Sequence, residues 1–419
     1  MKALVLMVNG LRPDVLGCYG ADHVVTPTFD TLAADSMVFD QHFANCPRPR
    51  ASRQAWNGSS RDHLPDALWR QNVPAWLVGG ERSPTRRLPF GRGWESTRWI
   101  RQTHLEMLDQ PTILDATLQT ALDGLEQHGH LPAWLMWVEI DALRRPWDAA
   151  EYADHTHAAA APNDPADELI QLGGLAAKPP APTAEASHDG EDDDDGPAPQ
   201  FRWRPALGVS PIRAARLMRA YTGIVEYIDE LVGQFLTLVR ELGLMEDLHL
   251  VVTSDMGLPL GERGMVGTPR PWLHEELVHI PFLWRLPGGR QAGRRMAQLT
   301  TAADFGTTLA AMFGVPTAGP GHCLLQGDRV VTAPARESLI CQSHRGPIGE
   351  WGLRTADWYY LLPLPESPER GPQLYQKPDD RWEVNNVAAQ YPDVAADLDR
   401  QLREAIKAAQ ATAATGPLA

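Results

Sequence analysis

The sequence predicts an α/β fold around a mostly parallel sheet. Short apolar runs alternate with longer segments of helical period, the pattern of strands joined by crossover helices. The first run, Ala3–Val8, is closed directly by Asn9-Gly10 and reads as a buried strand. The chain has 419 residues, room for two or three domains at roughly 150 residues each. Its 43 % apolar and 22 % charged residues are ordinary for a soluble globular protein, and exclude a collagen-like, coiled-coil or wholly disordered chain.

Further strands are expected at Val73–Val78, Ala133–Val138, Leu248–Val252 and Pro281–Leu286. The clearest helix runs from about Ile212 to Leu242. Met218, Tyr221, Val225, Ile228, Val232, Phe235, Val239 and Leu242 advance in steps of three and four along it and share one face, and Gly243 supplies the stop. Helices are also expected over Thr112–Gln127, Ala302–Met312 and Val394–Ala408. Between Thr156 and Pro205 the chain is rich in Ala, Pro, Gly and acid, and contains Glu191-Asp192-Asp193-Asp194-Asp195-Gly196. Such a stretch buries too little apolar surface to offset its ordering entropy, so a solvated, disordered insertion is expected. It lacks the alternating spacing and closing Glu of a calcium loop.

The formal net charge is −15, from 38 Lys plus Arg against 53 Asp plus Glu. That balance argues against a nucleic-acid partner, which needs a basic footprint. No run reaches the roughly 18 apolar residues of a membrane span. Ala3–Val8 is too short for a signal-peptide apolar region, so a cytoplasmic protein is expected. Cys18, Cys46, Cys323 and Cys341 show neither metal-ligand nor disulfide spacing, which fits a reducing compartment.

Several local patterns follow one another in a telling order. Leu4-Val5-Leu6-Met7-Val8-Asn9-Gly10-Leu11-Arg12-Pro13-Asp14 precedes Gly17-Cys18-Tyr19-Gly20 and then Thr26-Pro27-Thr28-Phe29-Asp30-Thr31-Leu32-Ala33. Thr253-Ser254-Asp255-Met256-Gly257 precedes Leu260-Gly261-Glu262-Arg263-Gly264, Pro271-Trp272-Leu273-His274-Glu275-Glu276 and Ile280-Pro281. Near the end come Leu353-Arg354-Thr355, Trp358, Leu374-Tyr375 and Glu383-Val384-Asn385-Asn386-Val387-Ala388. Together these resemble the sulfatase family of the alkaline phosphatase superfamily, with only Thr156–Pro205 falling outside. The resemblance implies an alkaline-phosphatase-like central sheet flanked by helices in residues 1–330, with a smaller C-terminal α+β subdomain in 331–419. It also implies a divalent cation, usually calcium or magnesium, and a Cys- or Ser-derived nucleophile in a C/S-x-P-x-R motif.

The residues depart from that pattern at the chemistry. Where the resemblance puts four metal ligands, the chain has Asn9, Gly10, Asp255 and Met256. Only Asn9 and Asp255 offer oxygen, and a thioether suits soft metals. No bound metal or other cofactor is therefore expected. Asp255 is open to a plainer reading as a turn cap. The nucleophile segment reads Cys46-Pro47-Arg48-Pro49-Arg50-Ala51-Ser52-Arg53, with Arg48 at the motif's central proline. Counted back from Gly58, the nucleophile position falls on Arg48 itself. Ser52 is either a hydroxyl nucleophile or a helix N-cap. Leu143 stands at the family's leaving-group histidine, Thr268 at its lysine and Arg263 at the histidine of its "GEHG" segment.

The expected function is that of a sulfatase-like protein that has lost catalysis and binds a ligand or regulates. The alternative is an active sulfuric ester hydrolase, or a related phosphohydrolase, using Cys46 or Ser52. Arg12, Arg48, Arg50, Arg53 and Arg263 either converge on the old pocket to hold an anionic or sulfated small molecule or sugar, or pair with carboxylates. His274 and Glu275 are either catalytic or structural. Trp56, Trp94, Trp99 and Trp272 are available to stack on a sugar, although core filling is the commoner use of such residues.

Overall fold

In the computed structural model the first apolar run forms β1 (Lys2–Val8), buried on both faces. The structure describes residues 1–48, 51–53, 56, 64–87, 93–101, 103, 105, 112–143, 211–264, 271–316, 321–327, 329–330, 336–367 and 371–415. The acidic stretch Thr156–Pro205 lies outside them. In chain order, β1 is followed by α1 (Pro27–Ala34), β2 (Met37–Phe43), α2 (Leu64–Arg70), β3 (Ala75–Gly80) and β4 (Ser96–Ile100). Then come α3 (Ile113–His128), β5 (Trp134–Ile140), α4 (Pro211–Glu241), β6 (Leu248–Thr253), α5 (Glu275–Val278), β7 (Phe282–Arg285), β8 (Arg294–Thr301) and α6 (Ala302–Met312). A two-stranded ribbon, β9 (Leu325–Gln326) and β10 (Arg329–Val330), leads to β11 (Ser338–Arg345), β12 (Ile348–Thr355), β13 (Trp358–Pro363), β14 (Gln373–Gln376) and α7 (Pro392–Thr415).

The main sheet has eight strands in the order β4-β3-β5-β1-β6-β7-β2-β8. Its neighbours are parallel except where β7 meets β6 and β2. Period-two alternation sorts each strand between two cores. Leu4, Leu6 and Val8 of β1 face Tyr221, Val225, Ile228 and Val232 of α4. Ala3, Val5 and Met7 face the other way, into the core that holds Phe305 and Leu309 of α6. The long amphipathic helix read from the sequence is thus the main cover of one sheet face.

The strands that the sequence did not reveal are β2, β4 and β8 to β14. β2 carries Asp40, Gln41 and His42, β4 opens Ser96-Thr97-Arg98, and β8 opens on two arginines. Strands at or near an edge carry polar and charged residues, which hides them from a hydrophobicity reading. The second sheet, β11-β12-β13-β14, is antiparallel throughout. One face packs Leu353, Tyr360 and Leu374 against Leu398 and Leu402 of α7. The other packs Leu339, Tyr359 and Leu361 against Phe43, Leu273 and Leu277. The Gln342 amide also donates to the Asn45 carbonyl at 2.9 Å, joining the two sheets. No described helix is long and apolar enough to cross a membrane.

α1 takes its N-terminal cap from a distant helix. The Thr26 side chain makes no cap hydrogen bond, and instead the amides of Thr28 and Phe29 donate to Asp229 of α4 at 2.9 and 2.8 Å. Asp229→Ala leaves two helix-end amides without that partner and should lower the unfolding free energy by about 1–2 kcal/mol. Urea unfolding measures this; an unchanged midpoint would mean that the borrowed cap contributes nothing.

Candidate functional site

β3, β5, β1 and β6 are side by side and parallel, so their carboxyl ends share one edge, where open α/β sheets place their sites. Asn9 follows β1, Glu139 is the penultimate residue of β5, Asp255 lies two residues beyond β6, and Ser83 and Thr85 follow β3. Glu139 sits at the sheet end beyond Trp137, on the opposite face from Val138 and Ile140.

Arg53 enters the middle of this ring from a helical turn at residues 51–53. Its Nη1 donates to Asp255 Oδ2 at 2.6 Å, and its Nη2 to Asn9 Oδ1 at 2.7 Å and Glu139 Oε2 at 2.9 Å. Nε donates to Thr85 Oγ1 at 3.0 Å, and the Trp56 ring lies 5.3 Å from the guanidinium carbon. Glu139 Oε2 also accepts from Asn9 Nδ2 and Ser83 Oγ, and Oε1 from Trp137 Nε1 and Thr85 Oγ1. Asp255 Oδ1 accepts from the Gly10 amide at 3.1 Å. Arg53, Glu139 and Asp255 are all at most 1 % exposed. Burial pushes the Glu139 carboxyl up. The charge of Arg53 and the bonds from Thr85 and Asn9 outweigh it, holding the group below its ordinary value and ionised. For Arg53 burial opposes the charge, and Glu139 and Asp255 restore it.

The other expected site residues fall into distinct places. Gly10 has φ +87°, and a Cβ there would meet Leu258 at 2.8 Å and Leu143 at 3.6 Å, so two leucines fill the space beside it. Met256 is buried, and its carbonyl accepts from Ser254. Cys46 is buried, with its carbonyl 2.8 Å from Ser52 Oγ, which also lies 3.0 Å from the Asp255 carbonyl. Ser52 is therefore not an N-cap. It sits inside the turn, where its own amide donates to the Arg48 carbonyl. Arg50 and Thr268 lie outside the described residues.

Arg12, Arg53 and Arg263 do not converge. Arg12 pairs with Asp14 and Glu262, while Arg263 pairs with Glu276 at 2.6 Å and more distantly with Glu383. His274 and Glu275 join a second cluster. His274 Nδ1 lies 2.6 Å from Glu383 Oε2, and Lys377 Nζ bonds Glu275 at 2.8 Å and Glu383 at 3.1 Å. Trp56 lies in the core, with Trp94 and Trp99 packed against it. The sequence reading missed Glu139, Ser83 and Thr85 as site residues, and with them Asp141, whose Oδ1 accepts from Asn9 Nδ2 at 2.6 Å. The signal was available in Glu139-Ile140-Asp141, where a strand of unbroken apolar character ends on two acids.

The sulfatase family model matches residues 147–315. Arylsulfatase K of Bos taurus is 25 % identical over 198 residues, 44 % of this chain and 36 % of that protein. N-acetylglucosamine-6-O-sulfatase of Bacteroides thetaiotaomicron is 26 % identical over 202 residues, 45 % of this chain and 36 % of that protein. The chain thus spans little more than a third of these relatives' length. Among solved structures, the phosphonate monoester hydrolase of Agrobacterium radiobacter superposes with a TM-score of 0.71 at 18 % identity, covering 96 % of this chain and 95 % of that one. A protein solved with its substrate D-glucosamine-2-N,6-O-disulfate gives 0.71 at 16 % identity, covering 97 % of each chain. The chain shares the fold of these proteins, and over residues 147–315 it is similar to the sulfatase family.

That similarity corrects the expectation that no cofactor is used, because sulfatase relatives use a divalent metal cation. The residues at the matching positions fit such an ion poorly as they stand. Gly10 has no donor side chain and Met256 offers only sulfur, while Asn9 Oδ1 and Asp255 Oδ2 both accept from Arg53. Among the described residues no three His, Cys, Asp or Glu side chains are grouped to hold a metal ion.

Removing Arg53 leaves Glu139 and Asp255 as buried carboxylates without their common cation. Arg53→Ala should lower the unfolding free energy by about 3–5 kcal/mol. Arg53→Lys should recover part of it, because it keeps the charge and loses the fork. Urea unfolding of the three proteins checks the order; an Ala variant as stable as the parent would contradict the assigned role.

The second cluster carries a pH dependence. Burial lowers the His274 pKa, but the bond and charge of Glu383 outweigh it, so the folded value stands above the ordinary 6.5. The stabilisation is complete below pH 6.5 and is lost as pH rises through the raised folded value. Melting temperatures measured upward from pH 6 should fall more steeply for the parent than for His274→Gln. Parallel curves would rule out the charged pair.

Proposed function

We propose that this sulfatase-family chain binds its ligand without hydrolysing a sulfate ester. The observation that carries the reading is Arg53, whose guanidinium occupies the centre of the strand-end site and donates hydrogen bonds to Asn9, Glu139 and Asp255. Two further features support it. Leu143, at the position of the family's proton donor, has no proton to give. The Ser52 hydroxyl has a single proton and faces two carbonyl oxygens rather than a base. The four cysteines have neither metal-ligand nor disulfide spacing in the sequence, which supports the cytoplasmic, reducing setting included in this reading.

One fact favours a second reading. The relatives are named as sulfatases, so an active sulfuric ester hydrolase working through Cys46 or Ser52 is the rival. An aryl sulfate and an aryl phosphate, each assayed with calcium and with magnesium supplied, separate the two. The proposal expects no turnover above the buffer rate. Turnover that disappears in Cys46→Ala or Ser52→Ala would establish the hydrolase instead.

A further inference from the structure

Beside the second cluster the surface opens into a cleft of about 660 Å³, within the roughly 300–1,000 Å³ of small-molecule sites. Three aromatic side chains line it: Trp272 before α5, Tyr375 of β14 and Trp382 beyond β14. Trp382 is 49 % exposed, unusual for so large an apolar surface, and the Arg381 guanidinium lies 5.1 Å from its ring centre. Gln373, Glu276 and Arg263 add polar groups to the wall. The floor is firmly held, since Glu383 has φ +55° and is fixed by Lys377 and His274.

The charge pattern selects the ligand. Arg263 is matched by Glu276 at 2.6 Å and Glu383 at 3.6 Å, and His274 by Glu383 at 2.6 Å. A sulfate or phosphate entering here has to compete with carboxylates already in contact with Arg263 and His274, the cationic side chains of the lining. An uncharged ligand meets no such competition. It gains from aromatic faces that receive ring C–H groups and from amide and carboxylate oxygens that accept hydroxyls.

We propose that this cleft binds an uncharged pyranoside, an unsulfated sugar, stacked on Trp382 and Trp272. The proposal rests on the non-hydrolytic reading above, because an unsulfated sugar leaves no ester to split. It differs from a substrate site at the strand ends: it is built from α5 and the second sheet, and Arg53 is not among its lining residues.

The test is titration of the full chain with cellobiose, N,N′-diacetylchitobiose and N-acetylglucosamine-6-sulfate, followed by tryptophan fluorescence and calorimetry. Saturable binding is expected for at least one of the two unsulfated sugars, tighter than for the sulfated one. Trp382→Ala should weaken it by about tenfold or more with an unchanged melting temperature. That variant keeps the backbone carbonyl that accepts from Arg263. Trp69→Ala, which removes an exposed tryptophan of α2, should bind as the parent does. The proposal fails if neither unsulfated sugar binds, if the sulfated sugar binds more tightly, or if Trp382→Ala binds as the parent does. Failure here with no aryl sulfate turnover overturns the sugar site alone, whereas turnover overturns the non-hydrolytic reading beneath it.

Discussion

A single buried guanidinium organises the carboxyl edge of the main sheet. Arg53 ties together the ends of β1, β5 and β6 and the segment after β3, through Asn9, Glu139, Asp255 and Thr85. Withdrawing three ions from water carries a large desolvation penalty, which is offset only when the donors and acceptors meet partners. Here Glu139 accepts from five different side chains, and Arg53 donates through all three of its nitrogens. The geometry of one strand end therefore constrains that of the others.

A second anchor has the same logic with opposite sign. Glu383 is a buried carboxylate that gathers Lys377, His274 and Arg263, and so draws the loop after β14 onto α5. Around it Tyr359 donates to the Leu273 carbonyl and Glu350 accepts from the Leu273 amide at 2.5 Å. The smaller sheet is held to the larger by polar groups that are satisfied across the join, in addition to the apolar contacts of Phe43, Leu277 and Leu361. The aromatic cleft opens beside this second anchor, with Glu383, His274 and Arg263 in its wall.

A fold shared with sulfatases does not by itself fix an activity, and the side chains set what this chain can do with it. Its sulfatase relatives use a divalent metal cation. In this chain the oxygens at the strand ends are turned toward a side-chain cation, and Leu143 and Leu258 fill the space beside Gly10. The fold persists because its core does not depend on that edge. The faces of β1, β5 and β6 are packed by aliphatic and aromatic groups well below it.

Sequence alone determined the parts of this protein that depend on local pattern. The buried runs of β1, β5, β6 and β7 and the long face of α4 were legible because apolar spacing is a property of neighbouring residues. The ordered motifs from Asn9 to Glu383 were legible too, and with them the absence of acidic pairs at 9–10 and 255–256. Tertiary structure decided what took their place. Arg53 and Glu139 are 86 residues apart, and Arg53 and Asp255 are 202 apart, so no local pattern announces their contact. In the sequence Arg263 was open to sharing a pocket with Arg53 or to pairing with carboxylates, and His274 to a catalytic or a structural role. Both belong to a different anchor, made with Glu383 more than a hundred residues away. Whether a charged side chain is paired depends on what the fold brings within 3 Å of it, and that is a property of the packed chain, not of its spacing.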